Sequence, residues 1–242
     1  MIHLRQSMMK RFCYAAVCCA GMIAAAACSS SAHITVRDAA DYSLAAEFAP
    51  SSLLEKNITR LLTQKTAQTD EQSVFNRREL QESLTKAGIT VTDISLIGAM
   101  GLRVACTIPY RHTLLKDFIN YDRSAHRTVL RITPENIAAF LETLPQESRD
   151  FVDMLMAPLF TGDSMGPAEY EELIGTAYGK KIAEELRNAA FTLTIDVPYP
   201  IESAQITPIG TVTLQKKQGT RALVHIPLLE LLCTTGAIEV RL

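Results

Sequence analysis

The side chains that could take part in catalysis or bind a metal ion are few, and their spacing matches no known chemistry. After residue 27 the chain has four histidines, at His33, His112, His126 and His225. His112 and His126 are 14 positions apart, a separation that does not match the close spacing of ligands in zinc sites. The sequence contains no HExxH, GxSxG, P-loop or dinucleotide-binding glycine pattern. We therefore predict no catalytic residue, no cofactor and no metal site.

The carboxylates follow helix faces rather than a catalytic pattern. Glu169, Glu171 and Glu172 lie early in a predicted helix, where negative charge is stabilised by the helix dipole. Glu184 and Glu185 lie on the predicted solvent face of the next helix. A solvated surface explains both groups, so we predict that the protein is not an enzyme. The alternative is an envelope hydrolase whose site is assembled from residues distant in the sequence.

The cysteines beyond residue 28 give no redox or zinc pattern. Of the six cysteines, Cys106 and Cys233 are the two that follow Cys28, and neither belongs to a CxxC pair. Outside the cytoplasm the two could form a disulfide. Their apolar neighbours favour the other interpretation, in which both are free thiols that behave as small apolar side chains.

The first 27 residues have the features of an export signal. Arg5, Lys10 and Arg11 precede an uncharged run of 16 residues from Phe12 to Ala27, which is shorter than the roughly 20 residues that span a bilayer as a helix. A positive flank, a short apolar core and small residues before a cut site are typical of a secretory signal peptide. Met1 and Met9 both fit as its first residue.

The run Ala25-Ala26-Ala27-Cys28 resembles a bacterial lipobox of the relaxed spirochaete type, which accepts alanine where the commonest form has leucine. In that family lipoprotein signal peptidase cuts before the cysteine. The cysteine thiol receives diacylglycerol, and the amino group freed by the cut is usually acylated with a fatty acid such as palmitate. The resemblance implies that lipid on Cys28 anchors the chain. Ordinary cleavage after Ala-x-Ala at the same bond would instead leave Cys28 a free thiol.

Charge and hydropathy narrow the classes of partner. Without residues 1–27 the chain keeps 21 basic and 26 acidic residues, a formal net charge of −5. It has no basic run, so nucleic acid is not an expected partner. No later apolar stretch reaches spanning length. We expect a protein lipid-anchored to a cell membrane, inner or outer, on the periplasmic or surface side.

Hydrophobic periodicity outlines the rest of the chain. Residues 28–40, which begin with a serine run, are predicted to be a flexible tether, and residues 41–242 a single domain. Alternating apolar residues predict strands near 42–50, 129–132, 191–197, 211–214, 222–226 and 238–242. A hairpin over 89–108 turns through Gly98–Gly101, with a bulge between Val91 and Ile94. A capped helix is predicted over 76–87.

Residues 133–190 form a predicted helical block, with a proline-initiated helix at 134, a helix over 146–156, and two more over 167–178 and 180–190. Strands, then helices, then strands predict an α+β fold whose mainly antiparallel sheet is covered by this block on one face. The order of elements resembles that of spirochaete envelope lipoproteins and, more loosely, the mycobacterial LppM-type lipoprotein domain, which implies an apolar ligand.

Two apolar segments, MLMAPLF at 154–160 and IPLLELLC at 226–233, would either line a ligand cavity or form the core, and we favour the core. The function expected from sequence is therefore a non-catalytic, membrane-anchored envelope lipoprotein that binds a protein partner or an apolar ligand.

Overall fold

A large, mainly antiparallel sheet organises the structure, a computed structural model that describes residues 28–37, 41–53, 55–56, 75–86, 88–110, 117–136 and 165–242. The sheet has seven strands in the order β3-β4-β2-β1-β7-β10-β9. Its strands are β1 (Cys28–Thr35), β2 (Tyr42–Pro50), β3 (Thr90–Ile97), β4 (Gly101–Ile108), β7 (Ala190–Asp196), β9 (Thr211–Leu214) and β10 (Arg221–Pro227). Among these neighbours, β1 and β7 form the one parallel pair.

A second sheet of four strands is antiparallel throughout, in the order β5-β6-β11-β8. Its strands are β5 (Ile119–Asp122), β6 (Arg127–Ile132), β8 (Gln205–Thr207) and β11 (Ile238–Arg241). The helices described over their whole length are α1 (Arg77–Lys86), α2 (Pro167–Tyr178), α3 (Lys180–Asn188) and α4 (Leu228–Leu232). Residues 52–53, 55–56 and 134–136 are also helical, the last group at the predicted proline-initiated start. The predicted α+β fold with a mainly antiparallel sheet is thus confirmed.

The seven-stranded sheet has one apolar and one polar face because its sequences alternate with period two. Side chains of the apolar face, which we call the inner face, are buried. They include Ile34 on β1, Leu44 on β2, Val104 on β4, Leu193 on β7 and Val224 on β10. The opposite, outer face carries mostly serine, threonine, alanine and charged residues that are exposed or half-buried. The core therefore lies on one side of the sheet.

Helices α2 and α3 pack against each other and against α4. Their buried side chains, among them Tyr170, Ile174 and Leu186, belong to the same core cluster as the inner face of the sheet. The described part of the predicted helical block therefore covers one face of the sheet, as expected. The remainder of the block, at 137–164, and the segment MLMAPLF lie outside the described residues.

The predicted tether over residues 28–40 is wrong for residues 28–35. They form β1, a central strand that pairs with β2 along its whole length and with β7 from Ser29 onward. Ser30, Ala32, Ile34 and Val36 are all buried. The serine run suggested a flexible linker, but it is the first half of an alternating strand whose every second side chain enters the core.

Local signals in the sequence were otherwise informative. Asn76 caps α1, because its side-chain oxygen accepts hydrogen bonds from the backbone N–H groups of Arg78 and Glu79. The hairpin bulge lies between Val91 and Asp93, where the β3–β4 register shifts. Helix α2 has the predicted bounds, whereas α3 ends two residues early, at Asn188, since Ala190 already pairs in β7. Strands β5 and β8 and helix α4 were not predicted.

Candidate functional site

Cys28, the predicted lipidation residue, is the first residue of β1. It lies opposite Pro50 of β2, and the next residue, Ser29, pairs with Ala49 on one side and Ala190 on the other. The pairing of β1 with β2 therefore begins at Cys28, and its pairing with β7 begins one residue later, at Ser29. The predicted signal peptide, residues 1–27, lies outside the described residues.

The predicted histidines are not brought together. His33 lies on the outer face in β1, and His225 lies on the same face in β10, two strands away. His126 is in the turn between β5 and β6 of the second sheet. His112 lies outside the described residues. In the part of the chain that the structure describes, no three histidine, cysteine or carboxylate side chains are grouped so that they could hold a metal ion.

An ionic cluster that no sequence pattern indicated lies on the outer face, towards the end of the sheet that is distant from Cys28. His33 Nε2 is 2.6 Å from Asp196 Oδ2, and Arg221 binds both oxygens of the same carboxylate, with Nε–Oδ1 at 2.6 Å and a second bond of 2.8 Å. The parallel pairing of β1 with β7 places Thr35 beside Asp196. Antiparallel pairing of β10 with β7 places Arg221 on its other side.

The charge of Asp196 is stabilised by these two neighbours. Hydrogen bonds from the Arg221 guanidinium, and then from His33, hold the pKa of the Asp196 carboxyl below its ordinary value, against the opposing effect of burial. Such a carboxylate remains ionised and orients the His33 ring. A hydrolytic triad adds a nucleophilic hydroxyl or thiol to such a pair, and among the described residues none hydrogen-bonds to His33.

We expect Asp196→Asn to lower stability in a pH-dependent way. The depressed pKa means that the carboxylate contributes stability above the unfolded aspartate value of about 3.9, and that this contribution is lost as pH falls through the folded value. At pH 7 the loss should be about 1 kcal/mol, since Arg221 and His33 are each more than 40% exposed and solvent weakens the pairing.

Urea unfolding of the mature chain at pH 7 and at pH 3 would measure this effect. The difference between wild type and Asp196→Asn should shrink at the lower pH. Glu47→Gln is the matched control, because among the described residues Glu47 forms its ion pair with Arg103, at 2.8 Å, on the same face. A difference of equal size at both pH values would contradict the assigned role of Asp196.

The second sheet carries a stack of three rings. His126 lies 5.6 Å from Tyr199, and Tyr199 lies 6.0 Å from Tyr121, with the rings nearly parallel in both pairs. The Tyr199 hydroxyl donates a buried 2.7 Å hydrogen bond to Thr128 Oγ1. These contacts give His126 a packing role and tie the β5–β6 turn to the segment after β7.

An open cavity of about 440 Å³ adjoins this stack. Its lining residues are Asn120, Tyr121, Asp122, Arg123, Ser124, Arg127 and Val129. The Asp122 carboxylate accepts hydrogen bonds from Ser124 and from the Ala125 backbone, which lowers its pKa and fixes the turn. The lining is largely polar, which does not match the apolar ligand that the resemblance implied.

No disulfide joins the two later cysteines, Cys106 and Cys233. Cys106 is 3% exposed on the inner face of β4. Cys233 follows α4, and burial raises the pKa of its thiol to about 11. Both thiols are therefore packing residues rather than reactive ones.

Three of the acidic residues considered in the sequence form surface contacts. The Glu171 carboxylate forms a 3.0 Å ion pair with Arg187, and the Glu184 carboxylate lies 3.9 Å from the same guanidinium. Glu185 accepts a 2.6 Å hydrogen bond from the Ser51 hydroxyl. These contacts join α2, α3 and the end of β2, and they are structural.

Comparison with protein families, with curated proteins and with solved structures found no match. Within the described ranges, no helix is both long enough and apolar enough to cross a bilayer.

Proposed function

We propose that the protein is a non-catalytic lipoprotein of the bacterial cell envelope, anchored to a membrane by lipid on Cys28. Its α+β domain stands on the periplasmic or surface side and binds a protein partner or an apolar ligand. The observation that carries the proposal is the position of Cys28. It follows an uncharged, signal-like segment directly and is also the first residue of the central strand β1. Lipid at this residue would anchor the folded domain without a linker.

Of the two modes of binding, a protein partner has the better support. The segment IPLLELLC belongs to the core: Ile226, Leu228, Leu231 and Leu232 are at most 1% exposed. This segment is therefore not available to line a ligand cavity. The outer face of the large sheet, by contrast, is accessible. Leu223 on β10 is 42% exposed and lies between Thr194 of β7 and Thr213 of the edge strand β9.

A photo-crosslinking side chain placed at residue 223 would test the binding of a partner in cells of the protein's own host. We expect a discrete adduct of one defined mass, because an apolar side chain on an open sheet face suits a protein interface. The matched control is the same side chain at Leu173, which is 46% exposed on α2. This position should give no adduct.

The two modes of binding and the enzyme alternative give different results. If neither position gave an adduct, and if stoichiometric lipid were extracted from the unacylated Cys28→Ser domain, the domain would bind an apolar ligand rather than a protein partner. The hydrolase alternative is favoured by the His33–Asp196 contact, which joins residues 163 positions apart. If the purified protein hydrolysed an ester substrate and His33→Gln abolished that activity, the non-catalytic assignment would be wrong.

A further inference from the structure

One end of the seven-stranded sheet lies at the level of Cys28. Cys28 pairs with Pro50, and Ser29 with Ala49 and Ala190. Because β3 and β4 continue the antiparallel order, their turn at 98–100 closes at this same end. The start of β7 and the end of β10 are also there, since Pro227 pairs with Ala190. We call residues 49–53, 96–101 and 189–190 the membrane-proximal end.

The distance from Cys28 to this end is fixed by the strand itself. Ser29 is one peptide unit, about 3.8 Å, from Cys28, and it is already paired on both sides. A flexible linker of 12 residues would instead allow an excursion of about 20 Å. A domain held by the first residue of its central strand therefore keeps this end close to its anchor.

We propose that the membrane-proximal end rests on the lipid surface and that the strands of the large sheet rise from the bilayer. This inference rests on the proposed lipidation of Cys28 and adds the surface that meets the membrane. That surface exposes the apolar side chain of Leu96, which is 40% exposed, beside the small residues Gly98 and Ala99. The Glu55 carboxylate lies against the same turn and accepts a hydrogen bond from the Ala99 backbone. An apolar side chain beside a polar group suits contact with the interfacial layer of a bilayer.

The opposite end of the sheet is then held away from the membrane. Strand β1 has eight residues, so it extends about 25 Å at 3.3 Å per residue. The Asp196–Arg221 pair and the turn at 215–220 lie at the distal end. The outer face is therefore steeply inclined to the bilayer surface instead of lying flat on it. In this orientation it is open to a partner in the same compartment.

Fluorescence quenching by lipids with spin-labelled headgroups would test this orientation. The acylated protein, with Cys233→Ser to remove the half-buried thiol, would carry a fluorophore at Ser52→Cys or, as the matched distal control, at Lys217→Cys. Both positions are exposed, whereas Cys106 is buried. In phosphatidylcholine vesicles we expect several-fold stronger quenching at residue 52 than at residue 217. A 12-residue glycine-serine insertion between Cys28 and Ser29 should abolish the difference.

The mass of each sample separates the possible failures. If the protein carries acyl mass but both labels are quenched equally, the orientation is wrong and the anchor stands. If the difference survives the inserted linker, the direct junction is not what holds this end on the lipid, and the inference is also overturned. A protein without acyl mass would overturn the proposed lipidation and the orientation together.

Discussion

Replacement of Cys28 by serine should release the protein from the membrane and leave its domain folded in the soluble fraction. Each buried methylene of an acyl chain contributes about 0.8 kcal/mol, and two chains already give stable anchoring. Serine has no thiol that could form the diacylglycerol thioether, so this substitution removes the whole lipid anchor. The chain beyond residue 27 has a net charge of −5 and no basic run that could replace the lipid.

Fractionation of cells that express the full sequence would measure this release. Wild type should sediment with membranes, resist high salt and dissolve in detergent, whereas Cys28→Ser should stay in the supernatant. Cys19→Ser, inside the signal-like segment, is the matched control and should remain in the pellet. A soluble wild type, or a Cys28→Ser protein that begins at residue 28 and still resists salt extraction, would be incompatible with an anchor at this residue.

The second large effect is a loss of stability when a buried side chain of β1 is truncated. Such a loss is expected if residues 28–35 form a strand and is not expected if they form a flexible tether. Ile34 is 7% exposed and lies between Leu44 of β2 and Ile195 of β7 on the inner face. Truncation of a buried isoleucine to alanine costs about 3 kcal/mol, because apolar burial is lost and a cavity remains. We therefore expect Ile34→Ala to lower the free energy of unfolding by that amount.

Ser31→Ala provides the comparison within the same strand. Ser31 is exposed on the outer face, so its replacement should change stability by less than about 0.5 kcal/mol. Chemical denaturation of the unacylated Cys28→Ser chain, with and without each substitution, would measure both values. If the two substitutions had equally small effects, residues 28–35 would be a linker after all.

The strands and helices with strong periodicity were predictable because local sequence determines them. Alternation defined β2 and β7, and the asparagine cap with the following glycine defined α1. Strand β1 carries the same alternation, with Ala32 and Ile34 buried and His33 half-buried between them. The serine run ahead of it masked the pattern, since serine is common in linkers. Short elements such as β8, with three residues, depend on pairing with β11 and have little signal of their own.

The outer-face cluster could not be predicted, for a different reason. Asp196 and Arg221 occupy outward positions of strands that were both predicted, but the contact with His33 requires β1 to be a strand and to lie parallel to β7. Strand order and register are long-range properties, and a shift of one residue would move His33 to the opposite face. The prediction of lipid on Cys28, by contrast, rests on a local signal: a positive flank, an apolar run and small residues before a cysteine.

The intact mass of the mature protein, extracted with detergent from the membranes of its own host, tests the lipid anchor most directly. We predict a chain that begins at Cys28 and carries the added mass of diacylglycerol and an amide-linked fatty acid. A chain that begins at Cys28 without added mass, or one that retains residues 1–27, would contradict lipid anchoring.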